Sequence, residues 1–200
     1  MDDQVIAQLR ESGALLEGHF LLSSGRHAAQ YVQCAQVLQY PERAEALCRR
    51  LAEQIQAASG EARPYDVVVG PAMGAVTFAY ELARALGGRG LFAERHPEGG
   101  FQLRRGFRIE SHERVLVAED VVTTGGSARE VLAMLQTLGI RTTAVASLVN
   151  RSGANAKPFG ELSYYRLLDL EVPNWTAEAC PLCQEGSTPI KPGSRPQASA

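Results

Sequence analysis

Residues 115–130 read V-L-V-A-E-D-V-V-T-T-G-G-S-A-R-E. An apolar run ends in two adjacent acids, Glu119 and Asp120. Beyond Val121 and Val122, the residues Thr123, Thr124, Gly125, Gly126 and Ser127 make a small-residue turn that opens a helix. A short unbroken apolar run bounded by turn signals predicts a strand buried on both faces, and such strands belong to parallel sheets covered by helices. In those sheets ligands bind beyond the carboxyl ends of the strands. The turn offers hydroxyls and bare backbone N–H groups, and the new helix adds the positive end of its dipole; together they suit a phosphate dianion. Glu119 and Asp120 are acceptors of the kind that holds a vicinal diol. Phosphate beside a diol, with acids between, describes a site for a ribose 5-phosphate. The competing reading is a plain β-to-α turn with Ser127 as N-cap; the fixed order of strand, acid pair, turn and helix favours the ligand site. The stretch is neither a G-x-x-x-x-G-K loop nor a G-x-G-x-x-G loop.

Outward from it, the same alternation recurs. R-V-L-V-A-E-D is followed by a helix over S-A-R-E-V-L-A-M-L-Q-T-L and a strand at T-T-A-V-A-S-L-V. Upstream, Y-D-V-V-V-G reads as a strand and is followed by a helix from about Met73 to Leu86, closed by Gly87-Gly88, and a strand at 90–94. Residues 41–58 are helical with Pro41 in the first turn. Residues 2–12 read as a short helix with Val5, Ile6 and Leu9 on one face. Between these helices, two extended runs separated by Ser-Gly (18–27 and 28–34) predict a hairpin. The fold class is therefore α/β, a central, mainly parallel sheet flanked by helices. One domain over 1–185 is expected, with a Gly-, Pro- and Ser-rich tail over 186–200 that lacks the composition to pack.

Two hundred residues with 45% apolar and 21% charged residues can bury a core without staples. The formal net charge of −2 speaks against a nucleic-acid-coating protein or a polybasic membrane binder. No apolar run approaches the roughly 18 residues that span a bilayer. The N-terminus is acidic and helical in pattern, unlike a signal peptide. Four cysteines are too few for a disulfide framework, which points to a reducing compartment, the cytoplasm. Cys180 and Cys183 form a lone C-x-x-C. With no second Cys or His pair near it in sequence, packed thiols are the expectation and no metal is assigned. Among 20 basic residues only Lys157 and Lys191 are lysines.

E-D-V-V-T-T-G-G-S after an apolar strand resembles the phosphoribosyl pyrophosphate (PRPP) signature of the type I phosphoribosyltransferases. G-H-F-L-L-S-S-G-R-H-A-A-Q-Y-V-Q, V-N-R-S-G-A and C-P-L-C-Q-E-G-S-T-P-I-K-P-G-S-R narrow the resemblance to the orotate phosphoribosyltransferase family, in its shorter bacterial branch. The likeness spans about residues 12–195. It implies a hood built from segments within about 12–40 and 160–185, and a reaction in which orotate and PRPP give orotidine 5′-monophosphate and pyrophosphate. It further implies Mg²⁺ as cofactor and a homodimer whose loop 95–107 reaches the neighbouring subunit's site. On this resemblance Glu119, Asp120, Val121, Val122, Thr123, Thr124, Gly125, Gly126 and Ser127 bind PRPP, together with Arg95. Thr123 also lies beside orotate, and Arg151 pairs with it, as suits a planar fork meeting a carboxylate. Tyr31 stands against the pyrimidine ring or is simply a hood-core tyrosine. Arg26 binds orotate or makes a local structural salt bridge.

The chain departs from the family pattern in its lysines. Better-known members carry them in the loop, before Ser-Gly-Arg, and after Gly-Pro-Ala; here those places hold no lysine in 93–109, Ser23, and Met73-Gly74. Arg95, His96, Arg104 and Arg105 are the cations left for catalysis in the loop, with His96 equally readable as a solvated residue. The readings that compete are transfer to another base, a PRPP-sensing regulator without catalysis, and a sugar-phosphate binding module.

Overall fold

The structure, a computed structural model, describes residues 2–22, 24–153 and 155–192; Ser23 and the last eight residues lie outside the described residues. Along the chain run α1 (Asp2–Glu11), β1 (Leu15–Leu21), β2 (His27–Val32), the single turn α2 (Ala35–Leu38), α3 (Pro41–Ser59), β3 (Val67–Pro71), α4 (Val76–Leu86), β4 (Arg89–Arg95), β5 (Phe101–Gln102), β6 (Val115–Val122), α5 (Gly126–Thr137), β7 (Thr142–Asn150), β8 (Ser163–Asp169), β9 (Asn174–Trp175) and the single turn α6 (Pro181–Gln184).

The main sheet has the order β5-β4-β3-β6-β7-β8. All its neighbours are parallel except the edge pair β4 and β5. Val67, Val69, Val115, Val117 and Val145 enter one core with α5, while Val68, Leu116, Ala118, Ala144 and Ala146 enter the other with α3 and α4. Successive residues of a strand thus fall in different cores, which is why the strands read as unbroken apolar runs. α3 starts at Pro41, whose fixed φ suits a first turn. α4 starts at Val76 rather than Met73, because residues 72–75 form a turn after β3 that contains a cis Ala72–Met73 peptide. A Cβ on Gly70 would lie 2.8 Å from the Ala75 carbonyl oxygen and from Ala79 Cβ, so only glycine lets α4 sit this close to β3.

The segments expected to build a hood divide between two sheets. β1 and β2 form the hairpin, and β9 joins it through His27–Trp175 and Ala28–Asn174 to make a second, three-stranded sheet. Ser163–Asp169, expected within the hood, is instead the edge strand of the main sheet, with Tyr164 opposite Val145 and Leu168 opposite Val149. Its S-Y-Y-R-L-L-D sequence hides the apolar run behind amphipathic residues, yet Leu167 and Leu168 are buried in the core shared with α3. The expected tail also starts later than 186. The Ile190 N–H donates to the His19 carbonyl and the Leu21 N–H to the Ile190 carbonyl, each at 2.8 Å, so Ile190 bridges to β1. Among the described residues no helix is long and apolar enough to cross a membrane.

Candidate active site

β6 delivers Glu119 and Asp120 at its carboxyl end, and both are only partly exposed. Burial, then the charge of Asp120 and a hydrogen bond to it, push the Glu119 carboxyl up to about 8; Arg95 opposes this. Burial also raises Asp120, against hydrogen bonds from the Val121 backbone and from Glu119. Burial, and for Glu119 the repulsion from Asp120, thus make the two carboxyls hold a proton more readily than isolated ones would. Behind Asp120 the chain leaves little room: a Cβ on Gly74 would stand 3.3 Å from Asp120 Oδ1.

The turn that follows is shaped by Gly125, at φ +76, which is the N-cap of α5 and leaves no side-chain cap. Ser127 is thus inside the helix, and the reading of it as N-cap is corrected. A Cβ at Gly125 would come 2.9 Å from Phe159 Cε1, so the position demands glycine on both counts. Arg129 Nη1 donates to the Thr124 carbonyl at 2.6 Å and to the Pro158 carbonyl at 3.1 Å, tying the turn to the segment before β8. Thr123 and Thr124 remain exposed.

Between this sheet end and the small sheet lies a cleft of about 920 Å³. One wall carries Gly74, Asp120, Val121, Thr123, Thr124 and Arg151; the facing wall carries Arg26, Tyr31, Asn174 and Lys191. Arg151 leaves β7 with its N–H donating to the Val122 carbonyl at 2.7 Å. Buried Asn150 locks that corner, donating to Asp169 Oδ1 at 2.6 Å and accepting from the Ser152 N–H and hydroxyl. The Arg151 Nε is buried without a hydrogen-bond partner, and burial lowers the guanidinium pKa, with Tyr31 opposing. A buried donor without a partner is uncommon in a folded protein and calls for an acceptor. Tyr31 is half-buried, its ring centroid 5.8 Å from that of Phe20; burial raises its hydroxyl, Arg151 lowers it and Asp120 raises it. Among the described residues Arg26 makes no salt bridge. It donates to the Asn174 carbonyl at 2.9 Å and to the Asn174 side chain, joining β2 to β9 while lining the cleft.

Of the residues singled out from sequence, the structure gathers Asp120, Val121, Thr123, Thr124, Arg151, Tyr31 and Arg26 around the cleft. Glu119, Val122, Gly125, Gly126 and Ser127 build the strand end and turn behind that wall without lining it. Arg95, His96, Arg104 and Arg105 do not line this cleft either. Residues 95–107 fold as a hairpin in which Phe101 and Gln102 pair back on Arg95 and Glu94. Arg95 pairs with Glu130 and lies 4.1 Å over the Phe101 ring. Arg104 and Arg105 pair with Glu94 at 3.7 and 2.9 Å, and His96 Nδ1 accepts from the Glu98 N–H at 3.2 Å. Sequence reasoning missed Lys191, Asn174 and Gly74 as cleft residues; the signal for Gly74 was the Gly-Pro-Ala-Met-Gly run after β3. The expectation that C-x-x-C stands apart from other donors is also corrected. The donor atoms of His19, His27, Cys180 and Cys183 lie within 4.8 Å of one another.

Residues 35–160 match the family model described as "Phosphoribosyl transferase domain". The orotate phosphoribosyltransferase of Heliobacterium modesticaldum is 52% identical over 193 residues, covering 96% of this chain and 98% of that protein. The enzyme of the same name from Caldicellulosiruptor bescii is 50% identical over 195 residues, covering 96% and 97%. Among solved structures, orotate phosphoribosyltransferase of Mycobacterium tuberculosis in complex with inorganic phosphate superimposes with a TM-score of 0.64 at 26% identity, covering 84% of this chain and 94% of that one.

Proposed function

The chain belongs to the orotate phosphoribosyltransferase family, and on that premise we propose that it transfers the ribose 5-phosphate of PRPP to orotate, giving orotidine 5′-monophosphate and pyrophosphate in pyrimidine synthesis. The observation that carries this reading is Arg151, which lines the same cleft as the Thr123-Thr124 turn and whose buried Nε has no hydrogen-bond partner among the described residues. A carboxylate at one end and a phosphate at the other match orotate and PRPP meeting in between.

The backbone N–H groups at the start of α5 and the hydroxyls of Thr123, Thr124 and Ser127 take the 5-phosphate. Asp120 accepts from the ribose hydroxyls, while Glu119, protonated, donates to Asp120 and keeps its charge in place. Val121 and Val122 set the strand end from which the turn departs. Arg151 holds the orotate carboxylate, Thr123 and Arg26 flank the base, and Tyr31 offers its ring face. The bond from ribose C1 to the diphosphate oxygen breaks and one from C1 to an orotate ring nitrogen forms, that nitrogen giving up its proton to the departing diphosphate or to water. Positive charge grows on the ribose and negative charge on the leaving group, so the site needs cations at the diphosphate and little water. Arg95, His96, Arg104 and Arg105 supply those cations from loop 95–107, acting in the site of a second subunit in a homodimer.

Mg²⁺ fits as an ion carried by PRPP, since among the described residues the cleft offers one carboxylate, Asp120, rather than a full cage of protein ligands. When bound, it supplies positive charge to the departing diphosphate. The cytoplasm is the compartment this reading assigns, in keeping with four free cysteines. Neither a nucleic acid nor a membrane is a partner in it. The test is to incubate the purified chain with orotate, PRPP and Mg²⁺ and follow the orotate absorbance. Its loss, dependent on PRPP, is expected; unchanged absorbance with PRPP binding intact would sink the enzyme reading, and turnover of adenine instead would move it to another base.

A further inference from the structure

We propose that His19, His27, Cys180 and Cys183 bind one structural Zn²⁺ that fastens the small sheet to the C-terminal segment. His19 lies on β1, His27 opens β2, Cys180 precedes α6 and Cys183 lies within it. Two ligands therefore come from each end of the chain, more than 150 residues apart.

The distances suit a tetrahedral metal. His19 Nε2 stands 2.9 Å from His27 Nδ1, 3.4 Å from Cys180 Sγ and 3.7 Å from Cys183 Sγ, while Cys183 Sγ is 3.3 Å from His27 Nδ1. Zinc bonds of about 2.0–2.1 Å to nitrogen and 2.3 Å to sulfur place neighbouring donors roughly 3.3–3.8 Å apart. These four separations match a tetrahedral donor set with a small outward adjustment of the two histidines.

Hydrogen bonding alone does not explain the convergence. One ring nitrogen, His19 Nε2, is approached by three groups, yet it can make a single in-plane bond. Its other nitrogen, Nδ1, lies 3.1 Å from the Ser187 carbonyl oxygen, an acceptor only. The Ser187 hydroxyl also lies 3.2 Å from Nδ1; a proton on Nδ1 satisfies the carbonyl and leaves the Nε2 lone pair for the two thiols and His27. A backbone carbonyl orienting a histidine in this way is the usual outer support of a metal ligand. His19, His27 and Cys180 are buried, and Cys183 is partly so. Two sulfurs and two nitrogens in a closed tetrahedral set select zinc over magnesium or calcium. C-x-x-C with a second pair supplied by a hairpin is also a common arrangement for structural zinc.

The site has a structural consequence. The segment after Cys183 carries Ser187 against His19, Ile190 against β1, and Lys191 into the cleft wall. Zinc ties this segment to the hairpin that bears Arg26 and Tyr31.

The test uses the untagged full chain, purified without added metal. Elemental analysis is expected to give one zinc per chain, and X-ray absorption two sulfur and two nitrogen neighbours. Cys183→Ser and His27→Asn should each lose that zinc, while Cys34→Ser should keep it. If the variants fail to fold, the wild-type chain is exchanged into Co²⁺, where the visible bands of a tetrahedral thiolate site are expected. Chelation should raise amide exchange in residues 15–32 and 180–191 above that of the main sheet. A chain that is metal-free as purified, binds neither Zn²⁺ nor Co²⁺ on addition, and unfolds at the same temperature with chelator would overturn the proposal. So would a Cys180–Cys183 disulfide in the folded protein.

Discussion

Arg151→Met separates binding from stability in opposite directions. In the free protein the Arg151 Nε is buried with no partner, and an unsatisfied buried donor costs about 1–3 kcal/mol. Methionine keeps most of the side-chain length and removes both the orphan donor and the half-buried charge. The free variant should therefore unfold at the wild-type temperature or above it, by up to roughly 2–4 °C for each kcal/mol recovered in a chain of this size. Catalysis should move the other way. Loss of charge-assisted bonds to the orotate carboxylate removes about 2–4 kcal/mol, a fall of roughly 30- to 1,000-fold in kcat/KM for orotate. The KM for PRPP should change little, because the phosphate turn is built from β6 and α5. Differential scanning fluorimetry and initial rates at varied orotate read the two effects. A variant that melts several degrees lower yet keeps its kcat/KM would refute the reasoning, since Arg151 would then be a structural residue satisfied by groups within the fold.

Glu119, pushed from its ordinary 4.5 up to about 8, holds its proton more tightly folded than unfolded. Its stabilising contribution is thus full below about pH 4.5 and lost as pH rises through about 8. Glu119→Gln should flatten the fall in melting temperature over that window; an unchanged slope would show that another group titrates there. Gly125→Ala must adopt φ +76 and displace Phe159 from 2.9 Å. Left-handed backbone costs about 1–2 kcal/mol before any clash, so melting should drop by roughly 3–8 °C with a raised KM for PRPP, and wild-type values of both would contradict the assigned turn. Mixing Arg151→Met with Arg105→Ala subunits should restore about a quarter of wild-type activity if the loop serves the partner's site. Activity that stays at the average of the two parents would show that each chain uses its own loop.

The sheet was legible because burial on both faces leaves no polar alternation to misread. β3, β6 and β7 carry four to seven consecutive buried residues, and their runs appear in the sequence almost to the residue. β8 was not legible as core. Its tyrosines and Arg166 are amphipathic, and only its register against β7 reveals the role. The strand-to-turn half of the site could be read because its parts are contiguous: acids, hydroxyls and glycines follow one another from Glu119 to Ser127. Lys191, Asn174 and the His19–His27–Cys180–Cys183 group could not, since each depends on the C-terminal segment returning to the hairpin. No local pattern encodes such a contact. The loop arginines show a third case. Their residue types were readable, but their pairing with Glu94 and Glu130 is a tertiary fact.

That pairing bears on how a chain with net charge −2 and only two lysines handles a polyanionic substrate. Among the described residues Arg26, Arg151 and Lys191 line the cleft against one acid, Asp120, so that wall is positive although the whole chain is not. Arg95, Arg104 and Arg105 each keep more than half of their side-chain surface in solvent while paired with Glu130 or Glu94. Exposed pairs of this kind are worth about 0–1 kcal/mol. A hydrogen bond between guanidinium and phosphate is charge-assisted and, in a cleft shielded from water, stronger than that. On the proposed reading the glutamates therefore hold the arginines at little cost, and a diphosphate displaces them. Arginine suits this exchange better than lysine would, because its planar fork meets carboxylate and phosphate with the same geometry.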